Sequence, residues 1–89
     1  MEFTITVVHY RRNILLVVRR IYIDASTERY EVLARNGRLV VQNNWPIFRN
    51  RGLKHRRPDW LLIEGNLSYY SLVEQIFTAI EQHLSSVNP

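Results

Sequence analysis

Phe3, Ile5 and Val7 alternate with Thr4 and Thr6, and a period of two predicts a half-buried β-strand over about residues 2–10. Arg11-Arg12-Asn13 breaks the alternation and predicts a turn. Residues 14–24 are dense in Val and Ile, and their β-branched content favours strand over helix. The apolar phase of Leu16 and Val18 gives way after Arg19-Arg20 to that of Ile21 and Ile23, so a bulge or twist is expected there. Ala25-Ser26-Thr27-Glu28 reads as the next turn.

Asn36-Gly37 is the sharpest local signal. A two-residue Asn-Gly loop favours a type I′ turn, because both central residues need positive φ. With strands at 29–35 and 38–43, that turn sets Arg35 against Arg38, Ala34 against Leu39, Val32 against Val41 and Tyr30 against Asn43. Tyr30, Val32, Ala34, Leu39 and Val41 then share one face, and Glu31, Arg35, Arg38 and Gln42 share the other.

Residues 43–59 have no clean period and contain Pro46, Gly52 and Pro58. They predict a long connection, of a length that is uncommon in a small domain and usually functional or flexible. Ile47 and Leu53 are expected to pack parts of it down. Trp60–Glu64 predicts a short last strand ending at Gly65-Asn66. Ser71-Leu72-Val73-Glu74 matches a capping box and opens a helix predicted over about 72–84. Leu72, Val73, Ile76, Phe77, Ile80 and Leu84 form its apolar stripe, opposed by Glu74, Gln75, Thr78, Glu81 and Gln82. The expected fold is α+β: a four- to five-stranded antiparallel meander with one C-terminal helix packed on one face. Without that helix, the apolar face of the 29–43 hairpin would be open to water.

Eighty-nine residues predict one domain spanning 1–89. The absence of cysteine excludes disulfides and thiolate zinc sites. Ile14–Val18 is the longest aliphatic run, far below the roughly 18–20 residues of a membrane span and below a signal-peptide core of about 7–15. A soluble cytoplasmic protein with no membrane partner is expected.

Charge is sorted along the chain. Residues 1–31 carry five Arg and four acidic residues, residues 32–58 carry seven basic residues and no Asp or Glu, and residues 59–89 carry four acidic residues and no Lys or Arg. The net charge of +4 therefore hides a strongly basic middle beside an acidic C-terminal third. Basic charge is densest in 49–57, where Arg49, Arg51, Lys54, Arg56 and Arg57 are candidates for phosphate contacts. Trp45 and Phe48 are candidates for stacking on unpaired bases. The same cations also fit a solvated surface, or pairing with Asp59, Glu64, Glu74 and Glu81. Trp60, leading an apolar strand, is expected to pack in the core, whereas Trp45 fits either role.

Catalytic signatures are weak. Pro58-Asp59 with Glu64 superficially matches a metal-nuclease pattern, but the spacing is short, no Lys follows Glu64, and on a strand positions 59 and 64 point to opposite faces. His9, His55 and His83 lack a second ligand at metal-binding spacing; His83 is expected near the helix C-terminus, where a cation is favoured. There is no nucleophile elbow and no Gly-rich phosphate loop. No enzyme activity, cofactor or metal is expected. The expected function is a small binding domain whose basic loop meets nucleic acid, RNA or DNA, or another polyanion. The alternative is a protein-interaction or self-assembly module, in which the basic loop of one chain meets the acidic helix face of another.

Overall fold

A computed structural model of the chain describes residues 1–35, 37–53, 56–65 and 70–87, and only the backbone of Tyr70, Ser71 and Val87. The described residues form β1 (Glu2–His9), β2 (Arg12–Ile23), β3 (Glu28–Ala34), β4 (Gly37–Asn43), α1 (Trp45–Asn50), β5 (Trp60–Glu64) and α2 (Tyr70–Val87). The strands lie side by side in chain order as one antiparallel meander. This is the α+β architecture expected from the sequence.

Alternation does the work in β1 and β2. Phe3, Ile5 and Val7 are buried while their neighbours are exposed, and they pair with Val18, Leu16 and Ile14 of β2. The turn between them is Tyr10-Arg11, one residue earlier than Arg11-Arg12-Asn13 suggests. Both residues have positive φ, at 50° and 63°, as a type I′ turn closed by the His9–Arg12 pair requires. The expected irregularity in β2 is present, as a register shift between Arg20 and Tyr22. Beyond it, Asp24 ties the next turn by accepting hydrogen bonds from the Tyr22 hydroxyl and from the Ser26 and Thr27 amides. The Tyr22 hydroxyl, and then the Ser26 amide, hold its carboxyl down at about 2, against an ordinary 3.8. That contribution is complete above the ordinary value and is lost as pH falls through about 2.

The β3–β4 register differs from the one expected. Ala34 pairs with Gly37, Val32 with Leu39 and Tyr30 with Val41, a shift of two residues from a ladder built on Asn36-Gly37 as the loop. A two-residue shift returns every side chain to the same face, so apolar patterning cannot choose between the two ladders. Charge does. The expected register sets Arg35 directly against Arg38, whereas the observed one sets Leu33 against Arg38 and Arg29 against Gln42. Arg29 Nε then donates to Gln42 Oε1 at 2.8 Å. Asn36 lies outside the described residues.

One face of the sheet is apolar and α2 covers it. Phe3, Ile5, Val7, Leu16, Val18, Tyr30, Val32, Leu39 and Val41 meet Leu72, Val73, Ile76, Phe77, Ile80 and Leu84 in a single buried cluster. The whole predicted stripe of the helix is buried. Trp60 packs into the cluster as expected, stacked on Phe77 with centroids 4.9 Å apart. His83 stacks on Phe3 at 3.9 Å. The helix is longer than 72–84 at both ends, so Ser71 lies inside it rather than before it; the Ser71 side chain of the expected capping box lies outside what is described. Gly65 ends β5 at φ +99°, where a Cβ would come within 2.5 Å of Leu39 Cδ2. Only glycine meets both constraints.

The other face carries a row of charge across four strands. Arg19 pairs with Glu31 at 3.0 Å, Glu31 with Arg38 at 2.5 Å, and Arg38 with Glu64 at 2.8 Å. The Arg38 guanidinium, more than Arg19, holds the Glu31 carboxyl below its usual range. At the outer edge of β1, Gln75 of α2 accepts from the Val8 amide at 2.7 Å and donates to its carbonyl at 2.9 Å. The side-chain amide thus occupies the place of a further strand residue.

Two expectations follow. Phe77→Ala should cost about 3–5 kcal/mol, as loss of a buried aromatic does, and urea unfolding should show a correspondingly lower midpoint. Replacing Tyr10-Arg11 by Asn-Gly should stabilise the fold by about 1–2 kcal/mol, because L-residues other than Asn resist the left-handed region. An unchanged or lower midpoint would contradict the type I′ turn.

Candidate functional site

The basic segment begins in a helix, not in a loop. Trp45–Asn50 forms α1, a single short turn missing from the sequence reading. Pro46 sits in its first turn, where the absent N–H costs nothing, and Asn43 Oδ1 accepts from the Trp45 amide at 2.8 Å. Gly52, at φ +71°, stops it: the Gly52 amide donates to the Arg49 carbonyl at 3.1 Å and the Leu53 amide to the Phe48 carbonyl at 2.8 Å. That paired closure is the Schellman motif. Pro just inside the start and Gly just past the end were the signal for this helix.

Side chains of the segment itself pin it in place. Asn50 Nδ2 donates to the Ala25 carbonyl at 3.0 Å. Asn44 and Asp59 bond reciprocally, Asp59 N to Asn44 Oδ1 at 2.7 Å and Asn44 Nδ2 to Asp59 Oδ2 at 2.9 Å. Pro46, Phe48 and Pro58 are buried.

Under α1 lies a buried polar group. Glu28 and Asn43, paired across β3 and β4, are 0% and 2% exposed. The Glu28 carboxylate accepts from the Tyr30 hydroxyl through Oε2. Its Oε1 faces the Arg49 guanidinium in an ion pair that is not aligned as a hydrogen bond. Burial, and then the bond to Glu28, push the Tyr30 hydroxyl far above its ordinary value, so it stays a donor. Asn43 Nδ2 has no partner among the described residues. Glu28 and Tyr30 come from the near-neutral first third of the chain, which is why attention to the basic segment alone misses them.

The candidate contact residues fall into distinct environments. Arg49 is held by Glu28 below and lies over the Trp45 ring at 5.1 Å. Arg57 makes two bonds to Glu81, at 3.0 and 3.3 Å, and Glu81 also accepts from Trp60 Nε1 at 2.7 Å. Arg56 is exposed and lies over the Phe48 ring at 4.7 Å. Arg51 is exposed, with no side-chain partner among the described residues. Lys54 and His55 lie outside the described residues. Trp45 is half-buried against the core, and Phe48 is only 5% exposed. Tertiary structure thus brings acids from both flanking thirds onto two of the named cations and, among the described residues, leaves Arg51 and Arg56 without a carboxylate.

Elsewhere, a hollow of about 360 Å³ lies between the sheet and the start of α2, lined by Val7, Leu16, Val32, Leu39, Leu72 and Ile76 among others. Apart from Arg38 its described walls are apolar, and no acid–base pair among the described residues converges on it. Among the described residues no three His, Asp or Glu side chains come together as a metal site needs. Nor is any described helix long and apolar enough to cross a membrane.

Arg49 is accordingly a tether. Arg49→Met should cost about 3–5 kcal/mol by leaving a buried carboxylate uncompensated, and adding Glu28→Gln should recover part of that loss. Arg51→Met should stay within about 0.5 kcal/mol of the parent. Urea unfolding of the parent, Glu28→Gln, Arg49→Met and the double variant closes the cycle, with Arg51→Met as the control. No family model, curated protein or solved structure matches this chain.

Proposed function

We propose that this chain is a small non-enzymatic binding domain of the cytoplasm that contacts a polyanion, nucleic acid foremost, through α1 and the segment after it. One observation carries the reading. Residues 32–58 hold seven basic and no acidic side chains, and Arg51 and Arg56 stand exposed without a carboxylate partner among the described residues. Neither is needed to balance charge within the fold, since exposed pairs would stabilise by only about 0–1 kcal/mol. Both are therefore available to phosphate. The reciprocal Asn44–Asp59 clasp and the Schellman closure of α1 support the same reading, because a segment held in place loses less freedom on binding.

A second reading rests on the sheet edges. Gln75 closes the outer edge of β1 at Val8, while edge strand β5 leaves Leu61 59%, Leu62 37% and Ile63 44% exposed. An apolar edge of that kind pairs with other chains unless blocked, which fits a self-assembly module whose partner is a second copy. Arg57 already meets Glu81 within one chain, so the trans pairing of basic loop and acidic helix has less support than pairing at β5.

Salt and mutation together separate the two. Phosphate binding should weaken by about 0.7–0.9 decades per decade of salt for each phosphate engaged. Arg51→Glu with Arg56→Glu should reduce affinity at least about tenfold, flatten that slope and leave the melting temperature within a few degrees. A well-folded sample that binds no nucleic acid at low salt retires the polyanion reading. Self-assembly predicts instead a dimer mass that Ile63→Lys converts to a monomer.

A further inference from the structure

Three aromatic rings lie at the end of the sheet where β2 finishes, β3 begins and α1 starts, and each carries a guanidinium on its face. Arg29 lies over Tyr22 at 4.9 Å, Arg49 over Trp45 at 5.1 Å and Arg56 over Phe48 at 4.7 Å. A base stacking on any of these faces would first have to displace an arginine. Phe48 is buried and Trp45 rests against the core, so neither offers a second open face. The Tyr22 hydroxyl is further committed to Asp24. Tyr22 is 42% exposed and keeps ring surface in solvent, but the two rings of the basic segment, Trp45 and Phe48, are spent on holding arginines.

We infer, on the footing of the polyanion reading, that this surface takes the phosphate backbone of a double-stranded nucleic acid and not unpaired bases. A guanidinium laid on a ring is oriented in advance, and its in-plane N–H groups still point outward along its edge. Arg56 has no acid partner among the described residues and offers its whole edge. Arg29 has given Nε to Gln42, and Arg49 faces Glu28 on one side. Such a set recognises closely spaced anionic oxygens. A duplex supplies them at about one charge per 1.7 Å of axis, with its bases already stacked on one another. Single strands draw much of their affinity for proteins from stacking on aromatic side chains, and here those rings are occupied.

The test uses the intact chain and probes of about 20 nucleotides: a mixed-sequence DNA duplex, an RNA duplex, and the component single strands of each, by fluorescence anisotropy at low salt. Both duplexes should bind at least about threefold more tightly than their single strands. Arg56→Gln should weaken the duplexes alike, whatever their sequence. Trp45→Phe should leave the duplex-to-strand ratio within about twofold. A smaller ratio, single strands preferred, or a Trp45→Phe loss confined to single strands overturns the inference and leaves the polyanion reading standing. No binding to any probe overturns both.

Discussion

Burial of one sheet face beneath α2 is the constraint from which the rest of the structure follows. Five strands in meander order have one apolar face, and a single amphipathic helix closes it with six buried side chains. Everything outside that layer must then be solved with polar chemistry. The uncovered face carries the Arg19–Glu31–Arg38–Glu64 row, and the exposed edge of β1 is completed by a glutamine amide from the covering helix. Two layers also leave the ends of the sheet open. At one end the gap is filled by α1, which buries Pro46 and Phe48 and meets the polar pair through Arg49 on Glu28 and the Trp45 amide on Asn43.

That end is where the fold meets the proposed polyanion surface. A carboxylate with no exposed surface needs a counter-charge, because an isolated buried ion is too costly to keep. Arg49 provides it from α1, and in doing so fixes the helix that carries the basic segment. The same cation thereby keeps only the side turned away from Glu28 for a ligand. Glu81 does likewise for Arg57 while bonding Trp60, so the far end of the segment is anchored to α2. Charge that is segregated along the chain is partly mixed in space. Among the described residues of 49–57, what remains uncompensated is narrower than the composition suggests and is centred on Arg51 and Arg56.

The arrangement of arginine on aromatic surface reshapes the chemistry further. A tryptophan and a phenylalanine beside a run of arginines read, along the chain, as a stacking platform with phosphate contacts around it. In three dimensions the two residue types are each other's partners. The cations are oriented by the rings, and the rings are closed by the cations. On the proposed polyanion reading, recognition by such a surface would run through charge and geometry, with little scope for reading base identity.

Period-two alternation in β1, the density of β-branched residues in β2 and the apolar stripe of α2 are properties of local sequence, and they alone determine the strands, the helix and the face that each buries. The irregularity near Arg20 and the stop at Gly65 are equally local. Pro46 and Gly52 bracket α1 with signals that can be read directly, although six residues are too few to show a helical period. Other features depend on groups distant in sequence. The β3–β4 register is degenerate under a two-residue shift, and the charges across the ladder break that degeneracy. The turn at Tyr10-Arg11 is imposed by the pairing of β1 with β2 on residues that do not favour it. The division of the basic segment into tethers and free cations is likewise tertiary, because Glu28 and Glu81 reach it from β3 and α2. Sequence determines how much charge the segment carries, whereas only the folded chain decides which of those charges is already neutralised.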